Sequence, residues 1–292
     1  MIEYLGLLLD AVVSGILIGG FYAAMAIGIS IAFGMLGISN IAHPAFILLG
    51  SFLAYVLNSR FNLDPILVGL IFLVPFYFLG TALYSGYEAV FERRGSELIR
   101  GLAFFFGLLF ITEVGLQIAF GVDYRLVEAP YIGPSYNIGP VSLPMRMCVP
   151  FVTSILLLLA AHVFFSRTFT GRAIMAVAQD RFALQLMGAA PVRIKRIAFG
   201  LSTATAALAG ALLIILQPVE PSMARDFIGR VFAICVLGGM GSLSGTLIAA
   251  IVVAIAESIT ANIYGPSWSP AVAFGLLLIT LVVKPSGLMG RT

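Results

Sequence analysis

The chain has 292 residues, of which 61% are hydrophobic and only 10% are charged, and its formal net charge is +3. A water-soluble domain carries roughly 25% charged residues, so this composition excludes one and predicts an integral membrane protein. The basic residues lie in loops between apolar runs, which fits membrane orientation and argues against nucleic acid as a partner. Cys148 and Cys235 stand alone in apolar surroundings and indicate neither a disulfide framework nor a metal site.

The first long apolar run, Ala11–Ser59, contains no charged residue and is too long for one crossing at ~20 residues. We divide it at 34–44, where FGMLGISNIAHP includes two glycines, Asn40, His43 and a proline. In lipid, such broken backbone survives only when it is packed in protein or lines an aqueous cavity. The N-terminus lacks a basic n-region, so we expect a first membrane segment there and not a cleaved signal.

Further apolar runs follow between polar loops, and the whole chain, residues 1–292, is expected to form one all-α membrane domain. The other predicted crossings are Pro65–Tyr87, Leu102–Phe120, Met147–Ser166, Ile197–Val219, Val231–Ala256 and Ser258–Val283. The total is eight or nine, depending on whether 238–245 ends a short crossing or forms a re-entrant segment. Polar loops are predicted at 122–146 and 217–230.

The longest polar interruption is 167–196, which carries six of the sixteen Lys/Arg residues. Asp180 is suited to cap a short helix over Arg181–Met187. Gly188 suits the left-handed position after that helix, and Pro191 prevents its continuation. The pattern predicts a two-turn helix at a membrane surface. An ordinary basic loop that only sets membrane orientation is equally consistent with these residues.

The distribution of basic residues predicts which loops face the cytoplasm. Eleven of the sixteen Lys/Arg residues lie in the turn at 88–100, the loop at 167–196 and the C-terminal tail, and five lie in the other loops. The first set is therefore expected on the cytoplasmic side. The N-terminal segment has Glu3 and Asp10 but no Lys or Arg, which favours the outer side, although the open number of crossings leaves this unsettled.

Two stretches are similar in kind, GMLGISNIAHPAFILLGSFLAY in the first half and VLGGMGSLSGTLIAAIVVAIAES in the second. Paired glycine-interrupted segments in two halves indicate an inverted repeat with a pathway at its interface. The candidate pathway-lining residues from these stretches are Asn40, His43, Gly238, Gly239 and Gly241. Close helix packing through small residues explains the glycines equally well.

Glu113 and Glu257 fall inside apolar runs, and an intramembrane carboxylate is a candidate functional group, here also for lining the pathway. Interfacial placement is the alternative, because both lie near one end of their run. A stand-alone carrier or channel that uses these carboxylates is our second hypothesis for function. A lipid-modifying enzyme is the third and weakest, because neither a GxSxG nor an HExxH pattern occurs.

The chain lacks the pattern of a phosphate-binding loop. Its only lysines, Lys195 and Lys284, do not follow GxxxxGK spacing, so any ATP must be bound by another subunit and we expect no cofactor on this chain. The short helix of the 167–196 loop then has a role. Its apolar residues Phe182, Leu186 and Met187 are suited to dock in a partner's groove, with arginines at the rim.

Three segments carry a resemblance to a known family. They are SGILIGGFYAAMAIGISIAFGMLGISNIAHPAFILLGSFLAY, AQDRFALQLMGAAPVRIKRIAFGLSTATAALAGAL and VLGGMGSLSGTLIAAIVVAIAES. In this order they resemble the N-terminal signature, the coupling-helix segment and the C-terminal glycine motif of the LivH-type inner-membrane permeases of branched-chain amino acid ABC importers. The resemblance covers nearly the full length. One departure is Pro44, where the family usually has glycine; it should stiffen the local bend and puts a role carried over to His43 in doubt.

The resemblance implies one subunit of a five-part importer in a bacterial-type inner membrane. Its implied partners are two cytoplasmic ATPase subunits, which bind ATP, a second and related permease, an external solute-binding protein and membrane lipid. The residues that the resemblance places at the ATPase contact are Ala178, Asp180, Arg181, Phe182, Ala183, Met187 and Gly188. The substrate implied is a branched-chain amino acid or a related small organic solute.

Overall fold

The computed structural model describes residues 2–91, 97–138, 141–186 and 188–290. Within them the chain forms eleven α-helices and one short β-hairpin, which confirms the predicted all-α membrane class. The helices are α1 (Ile2–Ile29, continued by a π-helical segment at Ser30–Met35), α2 (His43–Phe61), α3 (Pro65–Val90), α4 (Glu97–Phe120), α5 (Met145–Arg167), α6 (Phe169–Gln179), α7 (Arg181–Leu186), α8 (Pro191–Leu216), α9 (Ala224–Gly238), α10 (Leu243–Tyr264) and α11 (Ser269–Val283). The hairpin pairs β1 (Ser135–Ile138) with antiparallel β2 (Val141–Pro144).

Eight of the described helices are long and apolar enough to cross a membrane: all except α6, α7 and α9. The predicted break of the first apolar run is confirmed, because α1 and its π-helical segment end at Met35 and α2 begins at His43. The predicted crossing Val231–Ala256 is wrong, because the chain reverses between α9 and α10. Gly239 and Gly241 adopt φ of +96° and +80° there, which side chains with a Cβ rarely tolerate.

The predicted polar loop at 217–230 is also shorter than expected, because α9 already begins at Ala224. With 15 residues α9 spans ~22 Å, less than the ~30 Å of a hydrocarbon core. It is therefore a short helix held inside the protein. Of its charged residues, Arg225 and Asp226 are exposed, whereas the Arg230 side chain is largely buried and needs a partner within the bundle.

Helix α8 forms the centre of the bundle, because 89% of its most apolar 18-residue stretch is buried. Small residues lie at several of its closest contacts with α2 and α3. Ser51 Oγ donates a 2.6 Å hydrogen bond to the carbonyl of Gly210, and a Cβ at Gly69 would lie 2.8 Å from Ala211 Cβ. Small residues at such contacts are the usual means of close helix packing in membranes.

Helix α1 is the second buried helix, and α5 and α10 flank it. A Cβ at Gly15 would lie 2.6 Å from Ile255 Cα, and one at Gly19 would lie 2.7 Å from Ile251 Cα. On another face of α1, Gly20 leaves room for the ring of Phe151 on α5. Each neighbour is thus pressed against α1 where α1 has no side chain.

The bundle has two ends, which we name by their contents. The hairpin end contains the β-hairpin and the loops at 62–64, 121–134 and 217–223. Arg125 and Val219 exchange backbone hydrogen bonds of 2.8 and 2.9 Å there, and Ser142 N donates to Asp10 Oδ1 at 2.9 Å. The basic end contains α6, α7, the 239–242 turn and the tail at 284–290, where Leu288 N donates to Leu237 O.

These contacts place the start of α1 at the hairpin end and the C-terminal tail at the basic end. Nine described helices, the eight long ones and α9, run between the ends in alternating directions. The expectation of eight or nine crossings is thereby made definite: eight helices of crossing length, with α9 as a short ninth pass.

Candidate functional site: the basic-end segment and the glycine turn

The segment between α5 and α8 is a pair of short helices and not one. Thr168 caps α6, because its Oγ1 accepts a 3.0 Å hydrogen bond from Gly171 N, and Gly171 packs directly on the backbone of Phe164 and Phe165. The sequence indicated no helix here, so α6 is an addition to the prediction. Its capping threonine follows Arg167 without the proline or glycine that commonly marks a new helix.

The predicted second helix is present as α7, Arg181–Leu186. Leu184 N donates to Asp180 O at 3.3 Å, so Asp180 stands at its start as expected. Gly188 has φ +77° and follows the end of α7, and Pro191 is the first residue of α8, as the sequence predicts. Met187 lies outside the described residues. The backbone of Arg181, Phe182 and Ala183 is helical, but their side chains lie outside the described part.

The two helices are rooted in the bundle by one face and open on the other. Ile174 and Val177 of α6 and Leu184 of α7 are buried, whereas Ala178, Asp180 and Gly188 are exposed. Leu186 is 75% exposed. An apolar side chain on such an open face is suited to contact another protein, and Arg167 and Arg172, earlier in the chain, are also exposed.

The glycine turn, residues 238–242, packs against the end of α1 at the basic end, so that the second half of the chain contacts the first. A Cβ at Gly238 would lie 2.6 Å from the carbonyl carbon of Gly245, and one at Gly34 would lie 2.8 Å from Gly241 Cα. Thr246 Oγ1 donates to Ser30 Oγ at 3.2 Å beside this contact. The two stretches predicted to be related therefore touch each other directly.

Asn40 and His43 lie at the break between α1 and α2, and both are buried, with 1% and 0% exposure. The Asn40 side chain has no hydrogen-bond partner in the described part of the chain, and the His43 ring interacts with the backbone of Met25 on α1 without reaching the geometry of a normal hydrogen bond. Gly28 makes room for the His43 ring, and a Cβ at Gly28 would lie 2.7 Å from Thr205 Oγ1. Pro44 occupies the first turn of α2, where its missing N–H leaves no helical hydrogen bond unmade.

Glu113 and Glu257 are buried inside the bundle, and each is paired with an arginine of α9. Arg225 donates to both Glu113 oxygens, at 2.8 and 3.0 Å, and its guanidinium stands 5.0 Å from the Phe110 ring centre. Arg225, expected in a polar loop, is instead part of α9 and of this ion pair. A buried carboxylate needs a counter-charge or a proton. This requirement is the one signal in the sequence from which a cation near Glu113 could have been predicted.

The second pair is the more enclosed one. Arg230 Nε donates to Glu257 Oε1 at 2.9 Å, and Tyr22 on α1 donates to Glu257 Oε2 at 2.8 Å. The guanidinium also stands 5.1 Å from the Tyr22 ring centre. Both carboxylates are therefore buried within the protein, seven residues before the hairpin-end termini of α4 and α10, and α9 ties them to α4, α10 and α1. Placement at interfacial depth in the membrane remains the alternative given above.

At the hairpin end, Tyr131 Oη donates a 2.9 Å hydrogen bond to Asp64 Oδ2, while Asp64 Oδ1 accepts from Ile66 N at the start of α3. Burial and the Asp64 carboxylate raise the pKa of Tyr131 above its ordinary value. The Asn58 side chain bridges α2 to the same loop, accepting from Glu128 N at 3.0 Å. These bonds fix the long 121–134 loop on the ends of α2 and α3.

The comparisons with known proteins bear on what this arrangement is. The family profile described as "Branched-chain amino acid transport system / permease component" matches residues 11–281. The chain belongs to this family. The permease is 27% identical to the branched-chain amino acid permease protein BraD of Pseudomonas aeruginosa, over 97% of this chain and 96% of that one. It is 26% identical to LivH of Escherichia coli with the same coverage, and 24% identical to LivM of Salmonella typhimurium over 93% of this chain and 68% of LivM.

Proposed function

We propose that the permease forms the membrane pathway of an ATP-driven importer for branched-chain amino acids or a related small organic solute. The family assigns a permease component, and the relatives' names supply the substrate class. The energy comes from ATP bound to separate ATPase subunits, and the α6–α7 segment receives it. The basic end then faces the cytoplasm of a bacterial-type inner membrane and the hairpin end faces a solute-binding protein.

The observation that carries this proposal is the exposed α6–α7 segment. Its exposed residues, among them Leu186, are connected through Ile174 and Val177 to the interior and through Pro191 to α8. A displacement of α7 by a partner would therefore be transmitted to α8, the most buried helix. It would also reach α1, the second most buried helix, through the contact between Gly34 and Gly241. Alternating access follows when those helices shift against their neighbours.

Pathway lining by Asn40, His43, Gly238, Gly239 and Gly241 remains part of this proposal. The support is that both side chains are polar and buried, that Asn40 has no hydrogen-bond partner within the described residues, and that His43 has a poorly formed one at the Met25 backbone. Such burial is costly unless another state of the protein gives them water or solute. A second permease completes the pathway, and the similarity to both LivH and LivM supports a related partner. The stand-alone carrier is disfavoured, because Glu113 and Glu257 each have an arginine counter-charge.

A purification experiment separates the two functions. The tagged full chain is isolated from its native host in mild detergent, and ATPase activity is measured in the eluate. The eluate is then reconstituted into vesicles, and the uptake of labelled leucine, isoleucine and valine is measured. We expect an ATP-hydrolysing subunit to co-purify and uptake to require ATP. Uptake by the chain alone, driven by an ion gradient and lost in Glu257→Gln, would instead establish the carrier.

A further inference from the structure

Two neighbouring cavities lie between α5 and α10 near the basic end. The first has a volume of about 550 Å³ and is bounded by the end of α5, by α6, by Met35 and by the start of α10. The second has a volume of about 210 Å³ and lies between α5 and α10 alone. They share His162, Leu243 and Ser244 in their walls, so together they form one continuous cleft.

The first cavity offers hydrogen-bonding groups but no charged side chain among the residues that line it. Ser242 caps α10 by accepting from Gly245 N at 3.1 Å, while the N–H groups of Leu243 and Ser244 have no acceptor within the described residues. Gln179, Ser166 and His162 add polar atoms to the wall. Free N–H groups and the positive end of a 22-residue helix favour a phosphate oxygen.

The second cavity is apolar, being lined apart from the shared residues by Ile155, Leu158, Leu159 and Leu247. It extends away from the basic end, since Ile155 lies twelve residues, or ~18 Å, before the end of α5. The cleft exists because α5 and α10 are both pressed against glycines of α1 and leave a gap between themselves. Leu159 is 57% exposed there, towards the hydrocarbon of the membrane.

We infer that this cleft binds a phospholipid of the leaflet at the basic end. The phosphate lies at the start of α10 and one acyl chain lies along Leu159 and Leu247. The polar part of the cleft stands at the helix ends, where headgroups lie, and the apolar part stands at acyl-chain depth, so the order of the two matches a lipid. A free phosphate ion would occupy only the first cavity and would leave the apolar second cavity empty.

The lipid also contacts the segment that the proposed function makes responsible for coupling. Ala178 and Gln179 line the first cavity and directly precede Asp180. Gly241 and Met240 of the glycine turn form the opposite wall. A bound phospholipid therefore bridges α6 to the glycine turn, although its binding does not depend on the ATPase being present.

The test uses the full chain in mild detergent, supplied with phosphatidylglycerol, and counts retained lipid by native mass spectrometry. Leu159→Trp fills the apolar part of the cleft. Leu156→Trp makes the same change on a residue of α5 that is 60% exposed but does not line the cleft. We expect about fivefold less retained lipid in the first variant, as ~1 kcal/mol of lost interaction produces, and no change in the second.

A second pair of variants tests the phosphate position. Ser244→Asp places a negative charge where it favours the helix but repels phosphate, and Ser244→Asn adds bulk without charge. Loss of lipid in the first and retention in the second supports the inference. Equal retention in Leu159→Trp and Leu156→Trp, or no lipid on the wild type, overturns it. So does stabilisation by millimolar inorganic phosphate alone that survives Leu159→Trp, which would assign the site to a free anion.

Discussion

The ion pair between Arg230 and Glu257 gives the sharpest energetic prediction. Glu257→Leu leaves the Arg230 guanidinium, with a side chain only 15% exposed, with the exposed Asp226 as its remaining nearby carboxylate and leaves the Tyr22 hydroxyl without its acceptor. Removing one partner of a buried pair costs ~3–5 kcal/mol of unfolding free energy, and Arg230→Met should cost a similar amount. The double variant should lose only ~1–3 kcal/mol, the cost of the unpaired Tyr22 hydroxyl.

The assay is a double-mutant cycle on reversible unfolding in mixed micelles, followed by helical circular dichroism. We expect a coupling free energy above ~2 kcal/mol for this pair. Arg225 and Glu113 provide the matched comparison, because the Arg225 side chain is 55% exposed and their coupling should not exceed ~1 kcal/mol. Additive losses at Arg230 and Glu257 would refute the reasoning, since they would mean that the two charges do not depend on each other.

Three further predictions address the coupling segment, the break and the hairpin end. Gly188→Val should abolish ATP-dependent uptake with normal membrane insertion, whereas Gly188→Asn should retain most of it, because both have room and only Asn tolerates φ +77° readily; equal uptake would contradict a role for this turn. His43→Leu should leave the unfolding free energy unchanged or raise it by ~1 kcal/mol, because it removes a buried polar ring that has no well-formed hydrogen bond, yet reduce uptake if His43 lines the pathway; full uptake would restrict His43 to packing. Tyr131→Phe should cost ~1 kcal/mol below pH ~10, and the difference from wild type should vanish as the pH rises through the raised pKa of Tyr131, since ionised tyrosine cannot donate to Asp64. A constant difference in unfolding free energy up to high pH would contradict this last assignment.

Local signals predicted the parts of the fold that depend on backbone chemistry. Gly188 and Pro191 stand where a left-handed residue and a helix start are required, and α7 lies between Asp180 and Gly188 as predicted. The break at 34–44 was also visible, because an uncharged run of that length cannot cross once. Helix α6 was missed, since its start depends on the Thr168 cap and on close packing of Gly171, neither of which periodicity reveals.

The site residues that sequence reasoning missed are those whose role depends on distant contacts. Arg225 is 112 positions from Glu113, and Tyr22 is 235 positions from Glu257. No local pattern links them, so the arginines were assigned to a loop and the carboxylates were left unpaired. The reversal at Gly239 was one of two alternatives left open, with a re-entrant segment as the other, because an apolar run continues on both sides of it. The glycines at 238–245 indicated either a bend of the backbone or close helix packing, and the sequence did not distinguish between the two.

The central claim is that the basic end takes its energy from an ATPase subunit, and photo-crosslinking tests it most directly. A photoreactive amino acid is placed at Leu186 on α7, or at Tyr136 in the hairpin as a control that is similarly exposed at the opposite end. In native membranes we expect crosslinks from position 186 to an ATP-hydrolysing subunit and none from position 136. Crosslinks to that subunit from position 136, or none from position 186 while the subunit co-purifies, would contradict it.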